Sequence, residues 1–318
     1  MVSITVAPAG KKAPSTARGL PYTVQIPGKA YADVTVGDVK TALAAKYPKL
    51  YVDRQKLSVA GSKAALESDV KLSAVGVKDG GEVLVKDLGP QIGWKTVFLI
   101  EYAGPLFIHP AFYHLPKLFY GQDMQHSQLQ KFVYAFVMLH FVKRELETLF
   151  VHRFSHGTMP FTNVFKNSAH YHLGSGLAIA AAVYSPTYAA GSSYLAGTIR
   201  ENPNFLWACA YVWIWAELSN LHTHITTKNL RPPGTRTRAV PRGYGFDGLF
   251  SVSFPNYFFE LVGWAVIAGM TGSWVASAFA VVAGGQMAVW AAKKHANYKK
   301  EFGTEYPRNR KIMIPFIF

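Results

Sequence analysis

Cysteine is almost absent from this chain of 318 residues. The one cysteine, Cys209, lies within an apolar run, which excludes an intramolecular disulfide and a metal site built on cysteines. The N-terminus, MVSITVAPAG, lacks the basic start, the apolar block and the small-residue cleavage site of a secretory signal. We therefore expect any membrane insertion to use an internal span.

Charge is missing from one long stretch of the chain. Residues 261–292 contain no Asp, Glu, Lys or Arg, and Lys293-Lys294-His295 follows at once. Such a run is typical of an integral membrane protein. As one helix it would extend about 48 Å, well beyond a hydrocarbon core of roughly 30 Å. We therefore predict a helix that begins before Asn256, a turn near 269–272 and a second helix back to the cytosol.

Nucleotide-binding glycine motifs are also missing. The chain has no Gly-x-Gly-x-x-Gly after a strand and no P-loop. If it binds a nucleotide, it does so without a Rossmann or Walker motif. The net charge of +15 raises the question of a nucleic-acid partner. The basic residues, however, lie in loops that flank apolar segments and form no groove or recognition helix, which argues against nucleic acid.

The first 90 residues differ in composition from the rest, with 13 Lys or Arg and 8 Asp or Glu spread evenly. Thr35 followed by Asp38 predicts a capping box that opens a helix. The predicted strands are 2–8, 21–27, 55–60 and 81–88. This β-β-α-β-β order resembles the ubiquitin-like β-grasp fold, with a generic small α+β domain as the alternative. Gly80-Gly81 predicts a turn between strands.

The remainder predicts a membrane domain. Six apolar segments approach the roughly 20 residues that a span needs: 92–113, 130–150, 168–189, 203–221, 247–269 and 273–292. The loops with excess Lys and Arg are 151–167, 222–246 and 293–318, which predicts cytosolic N- and C-termini. The predicted fold is mainly α: a small ubiquitin-like α+β domain at 1–88, then a polytopic transmembrane helix bundle of about six or seven spans at 89–318.

Ionisable residues inside spans cost a few kcal/mol each and usually mark a site. Lys143 and Glu147 lie one helical turn apart in the second segment, where simple snorkelling to the interface is the alternative. Asn256 and Glu260 share one face of the fifth segment.

A second polar cluster follows the fourth segment. Asn220 and His224 lie one turn apart, and Arg231 follows, so a ligand with phosphate groups could bind here. An ordinary basic loop on the cytosolic side is the alternative. His222 and His224 cannot share a helical face, and no carboxylate accompanies them in the sequence, so we predict no metal.

Several ordered motifs together resemble the C-terminal domain of steroid 5-alpha-reductase-type enzymes. They are Asn220-x-x-x-His224, Leu230-Arg231-x-Pro233-Gly234, Asn256-Tyr257-x-x-Glu260, His295-x-x-Tyr298-Lys299 and Tyr306-Pro307 leading to Ile314-Pro315-Phe316. The upstream block KRELETLFVHRFSHGTMP, from Lys143 to Pro160, is similar to the trans-2-enoyl-CoA reductase branch of that superfamily. An N-terminal ubiquitin-like domain fits the same branch.

The resemblance implies a multi-pass enzyme of the endoplasmic-reticulum membrane. Its implied reaction is NADPH-dependent reduction of the 2,3 double bond of a very-long-chain trans-2-enoyl-CoA, the last step of each fatty-acid elongation cycle, which feeds sphingolipid and membrane-lipid synthesis. Other elongation enzymes are the implied partners. The residues implied to bind NADPH are Asn220, His224, Arg231, Asn256, Glu260, His295 and Tyr298. Many steroid reductases carry an acidic residue where His224 stands, which leaves its role open.

The pair implied to be essential is Lys143 and Tyr257. The reaction needs a group that polarises the thioester oxygen and a group that protonates C2. We assign polarisation to Lys143 and proton donation to Tyr257, and the converse assignment stays open. Two other functions remain as alternatives: reduction of a steroid or polyprenol enone, and a membrane adaptor without catalytic activity.

Overall fold

The computed structural model describes residues 1–62, 64–154, 157–230, 239–248 and 251–318. They form two compact units. One comprises Met1–Trp94 with His156–Val164, and the other comprises Lys95–Ser155 with Phe165–Phe318. The domain boundary predicted after residue 88 stays a prediction.

A four-stranded mixed sheet forms the centre of the first unit. Its strands are β1 (Val2–Pro8), β2 (Tyr22–Ile26), β3 (Gln55–Ser58) and β4 (Glu82–Asp87). Their order across the sheet is β2-β1-β4-β3, with β1 antiparallel to β2 and parallel to β4, and β3 antiparallel to β4. All four strands occur where the sequence predicts them.

The helix α1 (Val36–Lys46) begins with the predicted capping box. Thr35 Oγ1 accepts a hydrogen bond from the Asp38 amide, and the Asp38 carboxylate accepts one from the Thr35 amide at 2.9 Å. These bonds satisfy two amides that the first helical turn leaves unpaired. The buried face of α1 joins the core of the sheet, and Gly80, at a φ of +75°, makes the predicted turn before β4. Assignment to the ubiquitin-like β-grasp fold stays a prediction.

Two further features complete the first unit. The short strands β5 (Gln91–Gly93) and β6 (Thr158–Pro160) pair antiparallel. Asp87, at the end of β4, accepts hydrogen bonds from Arg54 Nε and Nη2 at 2.8 and 2.7 Å and from Thr16 at 2.8 Å. Burial acts to raise the pKa of Asp87, but these donors outweigh burial and hold the pKa below its usual value.

The rest of the described chain is helical. Its helices are α2 (Trp94–His114), α3 (Pro116–Tyr120), α4 (Gln128–Phe150), α5 (Asn163–Ala169), α6 (Ile179–Val183), α7 (Pro203–Asn229), α8 (Pro255–Thr271) and α9 (Trp274–Phe302). A π-helical stretch, His170–Ala178, joins α5 to α6.

Two predicted spans have other boundaries in the structure. Segment 168–189 is not one regular helix, because the π-helical stretch interrupts it and a 3₁₀ turn, Pro186–Tyr188, closes it. The span predicted at 247–269 starts too early. Gly248 has a φ of +75°, which a right-handed helix does not hold, and α8 starts only at Pro255, whose ring suits the first helical position.

The long charge-free run forms two helices, as predicted. Gly272 ends α8 with a left-handed φ of 64°, and Ser273 caps the start of α9. Among the described residues, one helical segment, Trp274–Glu305, is long and apolar enough to cross a membrane. The prediction of six or seven spans stays a prediction.

Candidate active site

Three packed helices carry the central polar residues of the predicted site. Helix α7 packs against α4 and α8, and α8 also packs against α9. Lys143 lies on α4, Asn220 on α7 and Tyr257 on α8. Residues far apart in the sequence therefore meet in the helical unit.

Lys143 contacts two acceptors on α7. Its Nζ lies 2.6 Å from Glu217 Oε2 and donates to Asn220 Oδ1, also at 2.6 Å. Asn220 in turn donates from Nδ2 to the backbone carbonyl of Asn256 at 2.8 Å. One side chain, Asn220, thus joins the ammonium group of Lys143 to the backbone next to Tyr257.

Glu217 is a central member of this cluster that the sequence analysis missed. Its Oε1 lies 2.8 Å from His140 Nδ1, and both side chains are buried. The carboxylate therefore contacts Lys143 on one oxygen and His140 on the other. An acidic residue within an apolar run was the available signal, because such residues normally face a protein interior.

Arg144 and Glu147 form a second buried ion pair beside the first. Arg144 Nη1 donates to Glu147 Oε2 at 2.6 Å, and Nη2 donates to the hydroxyl of Tyr102 on α2 at 2.7 Å. The guanidinium carbon also lies 4.9 Å from the centre of the Tyr102 ring. Lys143 Nζ stands 3.8 Å from Glu147 Oε1, so the two ion pairs are adjacent.

His224 lies between this ion pair and α8. Its Nδ1 is 3.0 Å from Glu147 Oε1, and Asn256 Nδ2 is 3.4 Å from its Nε2. Arg144 Nη1 lies 3.4 Å from the same Nδ1, so the imidazole contacts both members of the Arg144–Glu147 ion pair. Asn220 contacts the same residue of α8, which agrees with the predicted shared face of Asn220 and His224.

Glu147, His152 and His224 are close enough together to hold a metal ion, with their ligand atoms within 4.8 Å of one another. Burial and the neighbouring charge of Arg144 lower the pKa of His152 to about 3, so this imidazole is neutral. The carboxylate that the sequence lacked next to His224 thus comes from α4. The guanidinium of Arg144 already neutralises the charge of this carboxylate, and its positive charge would repel a metal ion. The absence of a metal stays a prediction.

The predicted residues of α8 lie at its first two turns. Tyr257 is half-buried, and its hydroxyl oxygen accepts a hydrogen bond from Lys294 Nζ of α9 at 3.0 Å. Glu260 has no hydrogen-bond partner in the part of the chain that the structure describes. The lysine bonded to Tyr257 is therefore Lys294 and not Lys143.

His295 and Tyr298 are buried on α9 and face the segment that leads into α8. His295 Nδ1 is 2.6 Å from Ser253 Oγ, which is also 2.6 Å from the Tyr306 hydroxyl. Tyr298 stacks on Phe254, with 5.4 Å between ring centres. Both side chains thus support the start of α8, and their contact with NADPH stays a prediction. Arg231, with Pro233 and Gly234 of the same motif, lies outside the described residues.

The C-terminal segment 303–318 pairs with the same approach to α8. The amides of Ser253 and Phe254 donate to the carbonyls of Lys311 and Ile312 at 2.9 and 3.1 Å. Nearby, Asp247 accepts from the Gly243 amide and from Arg310 Nη2, each at 2.8 Å.

The environment of Asp247 keeps it ionised. Burial acts to raise its pKa, but the Gly243 amide and the guanidinium groups of Arg310 and Arg242 outweigh burial and hold the pKa below its usual value. This carboxylate thereby ties residues 239–248 to the C-terminal segment.

Comparison with known proteins identifies the family of this chain. Residues 157–318 match the family described as 3-oxo-5-alpha-steroid 4-dehydrogenase. The chain is 39% identical over 294 residues to the very-long-chain enoyl-CoA reductase of Dictyostelium discoideum, covering 90% of this chain and 93% of that protein. The chain belongs to this reductase family. The family predicted from the motifs is therefore confirmed.

Other family members match over similar lengths. A protein of Schizosaccharomyces pombe named as an enoyl reductase is 46% identical over 315 residues, 99% of each chain. The mouse trans-2,3-enoyl-CoA reductase-like protein is 31% identical over 293 residues, which cover 89% of this chain and 77% of that one. The similarity to these enoyl reductases includes the N-terminal unit as well as the helical one.

Proposed function

We propose that this protein uses NADPH to reduce the 2,3 double bond of a very-long-chain trans-2-enoyl-CoA, the last step of a fatty-acid elongation cycle. The names of its relatives support the substrate class. The connection from Lys143 through Asn220 to the backbone of Asn256, next to Tyr257, carries the proposal. It supports one site that contains both predicted catalytic residues.

Reduction of a conjugated thioester requires a hydride at C3, stabilisation of the charge that develops on the thioester oxygen, and a proton at C2. NADPH supplies the hydride. In our proposal the Tyr257 hydroxyl gives its proton to C2, and the Lys143 ammonium polarises the thioester oxygen. The helices around Lys143 largely bury its ammonium group, which strengthens its effect on the thioester oxygen.

The contacts of Lys143 leave one position for a substrate oxygen. An ammonium group has three N–H donors. Two face Glu217 Oε2 and Asn220 Oδ1 at 2.6 Å, and the backbone carbonyl of Glu217 is 3.4 Å away. This contact and the one with Glu147 Oε1, at 3.8 Å, are both long for a hydrogen bond, so a substrate oxygen can take the third N–H at little cost.

The residues proposed to bind NADPH offer suitable polar groups. The Glu260 carboxylate has no hydrogen-bond partner among described residues, and the Asn256 amide has only the 3.4 Å contact with His224. A carboxylate and an amide suit the hydroxyls of a ribose and the carboxamide of a nicotinamide. Asn220 is already bonded within the protein, and in our proposal it orients Asn256. His224, Arg231, His295 and Tyr298 complete the proposed set.

We also propose that the helical unit is a multi-pass domain of the endoplasmic-reticulum membrane, with both termini in the cytosol. Large apolar side chains on the outer faces of several helices support insertion in lipid, because a protein surface in water rarely exposes so many together. They include Leu139, Val142 and Leu146 on α4, Trp207, Tyr211 and Leu218 on α7, and Val281, Val282 and Trp290 on α9.

For the first 88 residues we propose a ubiquitin-like β-grasp domain that contacts other elongation enzymes. The support is topological. The first and last strands of the four-stranded sheet, β1 and β4, are parallel neighbours at its centre, and α1 follows the β1–β2 hairpin.

The proposed activity can be tested with the purified full-length protein in detergent. NADPH oxidation is followed with a long-chain trans-2-enoyl-CoA and, separately, with a steroid enone. We expect turnover of the enoyl-CoA, and turnover of the steroid alone would refute the proposal. Tyr257→Phe should lower kcat by about 10²–10⁴-fold, whereas Tyr211→Phe, on the exposed face of α7, should not. Normal elongation in cells that depend on Tyr257→Phe would favour an adaptor.

A further inference from the structure

We infer that Lys294 is a positioning residue for the phenol of Tyr257, an inference that rests on the proposed function. Its Nζ donates a hydrogen bond to the phenol oxygen at 3.0 Å. Because Lys294 occupies a lone pair of this oxygen, the phenol hydrogen must point in another direction. The contact therefore selects the rotamer of the O–H group.

Aromatic rings hold Lys294 in this position. Its Nζ lies 5.4 Å from the centre of the Tyr257 ring and 5.8 Å from that of Phe254. Phe254 stacks on both Tyr257 and the buried Tyr298, with 5.8 and 5.4 Å between ring centres. The ammonium thus sits beside a fixed stack of rings that attracts cations.

The two lysines of the site differ in whether a carboxylate neutralises their positive charge. Lys143 contacts the carboxylate of Glu217 at 2.6 Å and is largely buried. Lys294 is exposed and forms no ion pair with a carboxylate in the described part of the chain. The uncompensated positive charge next to the phenol oxygen is therefore that of Lys294.

This arrangement assigns Lys294 a role in the proton-transfer step itself. When the phenol O–H bond breaks and its proton bonds to C2, the phenol oxygen becomes an anion. The Lys294 ammonium keeps its hydrogen bond to that anion and stabilises it, and a proton from solvent then restores the phenol. Each turnover therefore takes one proton from solvent. Solvent has access to this position because the side chain of Lys294 is exposed.

A double-mutant cycle on the full-length protein tests the inference. Lys294→Met should lower kcat about 10–100-fold and leave the KM for NADPH within about twofold, because the lysine acts on the proton-transfer step. Lys294→Arg should restore most of the rate. In the Tyr257→Phe background Lys294→Met should have no further effect, since the group on which it acts is already gone.

A readout of proton transfer separates this role from a structural one. In D₂O, the solvent isotope effect on kcat should increase in Lys294→Met, because protonation of C2 becomes slower. The neighbouring Lys293→Met removes an exposed charge of the same helix and should match the wild type in rate and isotope effect.

The outcomes distinguish this inference from the proposed function. If Tyr257→Phe abolishes turnover but Lys294→Met is fully active, the role of Lys294 is wrong and the proposed function stands. An equal loss from Lys294→Met in the wild type and in Tyr257→Phe also overturns it. Wild-type turnover by Tyr257→Phe would overturn both the role of Tyr257 and that of Lys294.

Discussion

Lys143 and Glu217 form an ion pair inside the helical unit, with 2.6 Å between Nζ and Oε2 and side chains that are 16% and 9% exposed. Removing one partner of such a pair leaves the other charge buried without compensation, which typically costs about 3–5 kcal/mol. Glu217 therefore compensates the charge of Lys143 and fixes its position.

We expect Glu217→Gln to lower the thermal stability of the protein and to reduce kcat with the enoyl-CoA. The substitution keeps the shape of the side chain but removes the charge that faces Lys143 and His140. Thermal unfolding and NADPH oxidation measure the two effects. Glu145→Gln is the matched control, because Glu145 also lies on α4 but forms no ion pair among described residues. Equal losses in both variants would contradict this role of Glu217.

Acid should weaken the first unit through Asp87. Its pKa is lower in the folded protein than in the unfolded chain, so its stabilisation is fully present above about pH 4. The stabilisation is lost as the pH falls through the folded pKa. Hydrogen exchange of β3 and β4 in the full-length protein should show this loss.

Arg54→Met supplies the control for this pH dependence. It removes the two hydrogen bonds that hold the Asp87 carboxylate, so β3 and β4 should exchange faster at neutral pH. Acidification should then change their exchange less than in the wild type, after correction for intrinsic rates. The same acid dependence in both proteins would exclude the Arg54–Asp87 pair as its source.

Asp247 should keep residues 239–248 attached to the C-terminal segment. Asp247→Asn removes the charge that Arg310 and Arg242 share, and the Arg310 side chain is 0% exposed, so it would be left buried without its ion pair. We expect faster proteolysis after Arg242 in this variant. Asp123→Asn, an exposed acid elsewhere in the helical unit, should cleave like the wild type.

Gly104 on α2 should not tolerate a larger side chain. A Cβ atom at this position would overlap the ring of His172, whose Nε2 lies 2.9 Å from the carbonyl of Ile100. We therefore expect Gly104→Ala to unfold at a lower temperature. Gly285→Ala on α9 is the control, because nothing lies within 4 Å of a Cβ there. Its thermal stability should be unchanged or slightly higher, since alanine favours a helix over glycine by about 1 kcal/mol.

Local features of the fold were predictable because their causes lie within a few residues. The Thr35–Asp38 capping box places the start of α1, and the glycine at 272 divides the charge-free run into α8 and α9. The boundaries of 168–189 were wrong because a π-helical stretch leaves no clear trace in an apolar sequence. Composition alone also started the fifth span at residue 247, which places Gly248, with its positive φ, inside the predicted helix.

The candidate site was predictable only in part. Asn220 and His224 lie four residues apart on one helix, so spacing places them together. The contacts of Lys143 with Glu217 and of Tyr257 with Lys294 join different helices, at sequence separations of 74 and 37 residues. Such pairs depend on how two helices pack and on their relative register. The sequence pattern of each helix alone does not contain this information.

The pairing of Ser253 and Phe254 with Lys311 and Ile312 bears on how the protein is made. During synthesis, α8 leaves the ribosome well before the residues that hold its first turn. The two hydrogen bonds from Ser253 and Phe254 can form only after residue 312 has emerged. A polypeptide that stops earlier lacks them, so the backbone that leads into Asn256 and Tyr257 gains its last support only near the end of translation.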